Sequence, residues 1–405
     1  MKQSISKTPQ KYNNFTSISG LPLGILRIRR PSSKYAASSV NDTKKQKISF
    51  DQDGVIDHAP DSQENRIIRF QRQSASRRLL QDKRVSGCLR NRLAGTVKVL
   101  KSKEHGKCHF ADLMICGSVW DCPVCSAKIS ERRRVELTRA VDQYSKAGGS
   151  VLLVTFTYSH KREDDLKELL AKQSKAFTWF YQHRTYKELK KRYMKKGRVR
   201  ALEVNHGKTN GWHPHVHELW FIDLHLHDYQ TLKLEVFNLW VKACEKYGLG
   251  LPSWEHGVDI RGGKDASNYI AKFGLEDKKT RDWGIEDELT KANAKKGRNG
   301  SLSPFELLDK CMSGDKEAEA LFIEYSKAFH RKKQLTWSKG LKGIFNLDEL
   351  TDEELAHQQD DEAILLATIE AEEWEAIIKT SSRSHDNRSI VLTLAENGNK
   401  CRDTL

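Results

Sequence analysis

The clearest patterning of apolar and polar positions lies in the middle of the chain. Val151 to Tyr158 is a short run of β-branched and apolar residues, which predicts a central buried strand. Arg200–Val204 and Gly211–Phe221 are two further extended runs, separated by residues rich in Asn and Gly, and predict an antiparallel hairpin. Gly257–Ile260 predicts a fourth short strand before the turn at Gly262 and Gly263. Between the strands the spacing becomes helical. Ile129–Gly148 reads as an amphipathic helix that stops at Gly148-Gly149. Residues 163–194 carry Leu166, Leu169, Leu170, Phe177 and Phe180 at helical spacing, and 228–247 carry Leu232, Val236, Leu239, Trp240 and Cys244. Another helix is expected to start at Asp265. Helices mixed with short strands predict an α+β fold, a small antiparallel sheet with flanking helices.

The ends of the chain read differently. Residues 1–65 are polar with little periodicity and predict a disordered tail. From Asn65 to Arg92 a helical, strongly basic stretch follows, suited either to phosphates or to solvent. Between Leu347 and Ile378 there are twelve Asp or Glu and no Lys or Arg, which predicts an acidic amphipathic helix. The last 25 residues read as a tail. The net charge of +16 over 405 residues, with the rest of the chain more basic still once that acidic run is set aside, favours nucleic acid over an acidic metabolite as partner. Eight cysteines without a signal peptide predict reduced thiols and a cytoplasmic location, and no apolar run predicts a membrane span.

Two clusters carry chemistry. His213, His215 and His217 alternate along the second hairpin strand, so they share one face. If the hairpin folds symmetrically about Thr209, Glu203 lies opposite His215 and joins that face. Imidazoles and a carboxylate on one rigid face form a divalent-metal site, for Mn²⁺ or Mg²⁺. Cys122 and Cys125 form a CxxC knuckle with Cys116 six residues before it, the spacing of a zinc site. Cys88, Cys108, His105 and His109 compete for the fourth position. Arg198 and Arg200 end a basic run before the hairpin. With Arg298 in a basic loop and Trp337 in a basic patch, they are candidate contacts to a DNA backbone, with some stacking.

His213-Pro214-His215-Val216-His217 resembles the histidine motif of HUH endonucleases, which include rolling-circle replication initiators, relaxases and single-strand transposases. Residues 116–125, Cys-Gly-Ser-Val-Trp-Asp-Cys-Pro-Val-Cys, and Tyr269-Ile270-Ala271-Lys272 resemble blocks of the plasmid initiators that use one tyrosine. The resemblance covers roughly residues 84–340. It implies a ferredoxin-like or RRM-like sheet with the histidine strand central, and Cys88 as the fourth zinc ligand. It also implies that Tyr269 cuts the origin strand, stays on its 5′ phosphate and leaves a 3′ OH primer. Lys272 lies three residues on and favours the phenolate, whereas Asp265, one turn earlier, takes the place of a residue that activates water for the closing cut. That place is a Glu in the relatives, and here it is the shorter Asp.

The organisation expected is therefore a tail over 1–65, a basic helix and zinc-binding cysteine module over 66–130, and an HUH endonuclease domain over 131–280. A basic DNA-contacting extension over 281–345, an acidic helical segment over 346–380 and a tail over 381–405 complete it. The expected partners are origin DNA and, because the chain lacks a P-loop pattern, a host helicase with a polymerase. A relaxase or transposase of the same chemistry is the alternative enzyme. A zinc-dependent regulator that binds DNA without cutting it is the alternative from another class.

Overall fold

A computed structural model describes residues 62–103, 106–223, 229–262, 300–358, 362–381 and 386–397. Of the expected N-terminal tail over 1–65, residues 1–61 lie outside these residues and 62–65 begin a helix; Asp265, Tyr269, Lys272 and Arg298 also lie outside.

In chain order the elements are α1 (Ser62–Leu79), β1 (Val97–Ser102), β2 (Cys108–Ala111), α2 (Pro123–Lys146) and β3 (Ser150–Phe156). Then come α3 (Leu166–Gln182), α4 (Arg184–Arg192), β4 (Lys195–Gly207), β5 (Gly211–Ile222), α5 (Gln230–Lys246) and β6 (Val258–Arg261). The rest are α6 (Pro304–Met312), α7 (Lys316–Ala328), β7 (Leu335–Trp337), α8 (Leu341–Ile344), α9 (Asp352–His357), β8 (Ala363–Ile369), α10 (Ala371–Lys379) and α11 (Asn387–Glu396). The fold is α+β, with antiparallel sheets and flanking helices. The described residues divide into two compact units, one drawn from 62–87, 115–223, 229–262 and 300–358, the other from 88–103, 106–114, 362–381 and 386–397.

The larger unit is built on a five-stranded sheet of order β6-β3-β5-β4-β7, every pair antiparallel, with β5 in the middle. Alternation along the strands gives each face its own core. Val154, Phe156, Val216, Trp220 and Ile222 pack against Phe177, Phe180, Tyr186, Leu239 and Trp240 of α3, α4 and α5. On the other face Val151, Val199, Ala201, Leu219 and Phe221 meet Leu137, Val141 and Tyr144 of α2, together with Leu341 and Phe345. The single helix expected over 163–194 is two helices. His183 ends α3 with an extended backbone, and its side chain accepts from the Thr185 N–H to start α4.

The β4–β5 hairpin fixes the site by its register. Gly207 pairs with Gly211, so the loop is Lys208-Thr209-Asn210, and Glu203 falls opposite His215. Gly211 has φ +68°, and a Cβ there would lie 2.8 Å from the Arg162 Cα and carbonyl oxygen. Gly211→Ala is therefore expected to cost about 2 kcal/mol in urea unfolding, through left-handed strain and displacement of the Arg162 backbone. An unchanged midpoint would show that the turn relaxes freely.

In the smaller unit β2, β1 and β8 form a three-stranded antiparallel sheet. Residues 363–369, Ala-Ile-Leu-Leu-Ala-Thr-Ile, lie within the run expected to be an acidic helix and instead form strand β8. Seven successive uncharged residues ending in Thr368 and Ile369 have no polar helical face to expose, whereas β1 offers them a pairing edge. The acid residues flank that strand, and Asp352 of α9 pairs with Arg133 in the larger unit.

The region expected as a C-terminal tail contains α11, and its Arg388 is completely buried. Its guanidinium donates to Asp386 from Nε at 2.9 Å and Nη2 at 2.7 Å, and from Nη1 to the Leu89 carbonyl at 3.0 Å. Arg388→Met is expected to cost about 3 kcal/mol, because the buried Asp386 would lose its bidentate partner and the Leu89 carbonyl its donor, leaving only Arg90 Nη2 at 3.6 Å from Asp386. A chain truncated after residue 385 should show a loss of similar size, and wild-type stability in both variants would refute it.

Candidate metal and nucleic-acid site

The central strand carries the histidines to one region of the sheet face, beyond the apolar layer under α2. Glu203, His215 and His217 each offer a ligand atom within 4.8 Å of the others, and all three side chains are buried. Glu203 Oε2 lies 3.1 Å from His215 Nε2 and 3.6 Å from His217 Nε2. The other nitrogen of each ring is held from behind. His215 Nδ1 is 3.1 Å from the His213 carbonyl, and His217 Nδ1 is 2.9 Å from Thr155 Oγ1, whose residue pairs with His217 across β3 and β5. A carbonyl only accepts, so His215 Nδ1 carries a proton and donates to it, while Nε2 faces Glu203 Oε2 at hydrogen-bond distance. The donor set, one carboxylate oxygen and two imidazole nitrogens with oriented rings, fits a divalent ion of the Mn²⁺ or Mg²⁺ class.

His213 is not part of that group. Its Nδ1 lies 2.6 Å from His160 Nε2, while His160 Nδ1 lies 2.8 Å from the Asn210 carbonyl. The Asn210 carbonyl takes the His160 Nδ1 proton, so His160 Nε2 accepts and His213 Nδ1 donates. Burial, reinforced by His215 and His160, pushes the His213 pKa down to about 3. Burial also lowers His160. The side chain of His160 gave no periodic signal in the sequence, and neither did the support from Thr155.

The second cluster lies in the larger unit, where Cys116, Cys122 and Cys125 are all buried. Cys116 Sγ and Cys125 Sγ are 3.7 Å apart. Cys122 caps the N-terminus of α2, with Pro123 next, and its sulfur receives the Cys125 N–H at 3.5 Å and the Gln73 amide at 3.1 Å. Three thiols held this way offer sulfur ligands of the kind that tetrahedral Zn²⁺ takes. Cys108 lies in β2, donates its N–H to Glu396 and is not in the group.

Arg198 and Arg200 project from β4 onto the helix-covered face, where both turn to Glu218 on β5. Glu218 is fully buried and its pKa falls to about 2; burial opposes this shift, and Arg200, Arg198 and Lys195 more than offset it. Trp337 sits on β7 opposite Val199, packed against the apolar layer that includes Phe345. Among the described residues no helix is long and apolar enough to cross a membrane.

Comparison with known proteins supplies the class. Residues 107–387 match the family described as Replication protein, which is more than half of the 405 residues. The chain belongs to this replication protein family. Protein rep of Streptomyces lividans is 28% identical over 301 residues, covering 58% of this chain and 64% of the relative. The Neomycin resistance protein of Streptomyces cyanogenus is 30% identical over 131 residues, 26% of this chain and 30% of the relative. The chain thus spans less than two thirds of the length of either relative. No solved structure matches.

Proposed function

We propose that the chain is a plasmid rolling-circle replication initiator of the HUH type, which nicks and rejoins one DNA strand at the origin. The observation that carries this reading is the buried group of His215 and His217 on the central strand with Glu203 on its neighbour β4, in a replication protein. Family membership favours an initiator over a relaxase or transposase, and over a regulator that binds without cutting.

In this reading the phenol oxygen of Tyr269 attacks the scissile phosphorus and the bond from phosphorus to the 3′ oxygen breaks. The 5′ phosphate stays on the tyrosine, and the 3′ oxygen leaves, takes up a proton and serves as primer. Lys272 favours the phenolate, whose unperturbed pKa is about 10. Asp265 activates water in the closing cut. Glu203, His215 and His217 would hold a divalent ion, which would supply charge to polarise the scissile phosphate. Zn²⁺ on the four cysteines is structural. Origin DNA is the substrate, and a host helicase and polymerase are the partners.

The test is incubation with single-stranded oligonucleotides tiling candidate origins, with Mn²⁺ or with EDTA, followed by denaturing electrophoresis. Cleavage that requires the ion and leaves a protein–DNA adduct supports the proposal. DNA binding without cleavage across all candidates would overturn it in favour of the regulator.

A further inference from the structure

On the helix-covered face of the same sheet, Lys195, Arg198 and Arg200 share a single anionic partner. β4 places them along one line, opposite Ile222, Trp220 and Glu218 of β5. The Glu218 carboxylate is already engaged. Its Oε1 accepts from Arg200 Nε at 2.8 Å and Tyr181 Oη at 2.5 Å, and Oε2 accepts from Trp220 Nε1 at 2.7 Å. Arg198 Nε stands 3.3 Å from Oε1. Lys195 is only 5% exposed, and its Nζ has no hydrogen-bond partner; the same holds for Arg200 Nη2.

Aromatic rings surround these cations but cannot replace an acceptor. Lys195 Nζ lies 3.2 Å from the Trp220 ring centroid, Arg198 Cζ 3.5 Å from that of Tyr181, and Arg200 Cζ 4.0 Å from that of Phe177. Ring faces attract positive charge without accepting an N–H into a lone pair, so the buried ammonium stays unsatisfied. Burial pushes the Lys195 pKa down, yet two guanidinium groups against one saturated carboxylate still leave a local excess of positive charge, and Lys195 Nζ and Arg200 Nη2 remain unused donors. The arginine side chains are 27% and 24% exposed, which makes them the open side of the cluster, with Lys195 at its closed end.

We propose that Lys195, Arg198 and Arg200 form a binding site for a phosphate group, with Glu218 holding the two guanidinium groups in place. A tetrahedral oxyanion has enough lone pairs for the Lys195 ammonium, Arg200 Nη2 and the outer edge of Arg198. Glu218 alternates with His215 and His217 along β5, so this site lies on the opposite face from the histidine group and does not rest on the metal reading. The same chemistry is offered by free phosphate and by a phosphodiester of single-stranded DNA.

The test uses the full chain in EDTA, so that the histidine site plays no part. Inorganic phosphate is titrated against chloride at matched ionic strength, read by ³¹P line broadening and thermal midpoint. A short oligothymidylate forms the second arm. The expected result is broadening and a raised midpoint with phosphate alone, and an affinity about tenfold weaker in Lys195→Met, which leaves the acceptors of Glu218 untouched. Should Lys195→Met fail to fold, Arg198→Gln, on the open side, replaces it with the same expectation. If the natural ligand is the strand, oligothymidylate displaces phosphate, and Lys195→Met reduces the salt slope of DNA binding by about one. If it is a free phosphate, the oligonucleotide leaves the phosphate signal unchanged. Equal responses to phosphate and chloride, or equal phosphate affinity in wild type and both variants, would overturn the site.

Discussion

Tyr269→Phe is expected to abolish the covalent protein–DNA adduct while leaving DNA binding intact. The substitution deletes one oxygen and no apolar surface, so its effect on binding is small. The transfer, by contrast, loses its nucleophile, and removing such a group lowers turnover by about ten-thousandfold or more. The labelling pattern makes the expectation specific. With the oligonucleotide labelled at its 3′ end, the label should migrate with the protein, because the tyrosine keeps the 5′ phosphate of the downstream fragment. With a 5′ label the radioactivity should appear only in a shortened free strand ending in a 3′ OH that a polymerase extends. Asp265→Asn should retain this first cut and lose the closing one. Adduct formation that persists in Tyr269→Phe would move the nucleophile to another residue, and cleavage without any adduct would point to attack by water.

The hairpin was legible because two independent signals agree on it. Alternation set the face of His213, His215 and His217, and the Asn/Gly-rich loop set the centre of symmetry, from which Glu203 follows by counting. The core strand Val151–Tyr158 was equally plain, although the partner that Thr155 finds in His217 depends on which strand lies beside it. Other features depend on contacts that no local period encodes. The three-stranded sheet pairs β1 with β8 across more than 260 residues, so Ala363–Ile369 reads as part of a helix until Val97–Ser102 is placed next to it. Arg388 looks like any polar residue in a terminal stretch, and only the buried Asp386 and the Leu89 carbonyl reveal its role. Likewise, Arg198 and Arg200 resemble a plain basic run, because the carboxylate that organises them lies on the next strand. Burial of paired charge is invisible to a reading that treats charged residues as solvent-facing.

Removing metal from the two candidate sites is expected to separate activity from folding. Glu203, His215 and His217 sit on strands already fixed by backbone pairing and by apolar layers on both faces, so their geometry does not depend on an ion. EDTA treatment brief enough to leave zinc on the cysteines, checked by mass spectrometry, should therefore abolish cleavage with a change in thermal midpoint of no more than about 2 °C, and added Mn²⁺ should restore it. Glu203→Gln removes the only charge in that donor set and should weaken Mn²⁺ by about a hundredfold, measured calorimetrically. Thr155→Val, which only releases the His217 ring, should cost about tenfold. The cysteine cluster has the opposite character. Its sulfurs in the larger unit come from a loop and the first turn of α2, and no sheet register holds them together. Thiolates brought close without a cation repel one another, so an ion bound there would contribute folding free energy. Cys122→Ser, or a chelator strong enough to strip zinc, should lower the midpoint by about 10 °C and release one zinc per chain by mass spectrometry. A cysteine variant that keeps wild-type stability would leave the cluster as buried thiols, and an EDTA-treated protein that unfolds would make the histidine site structural.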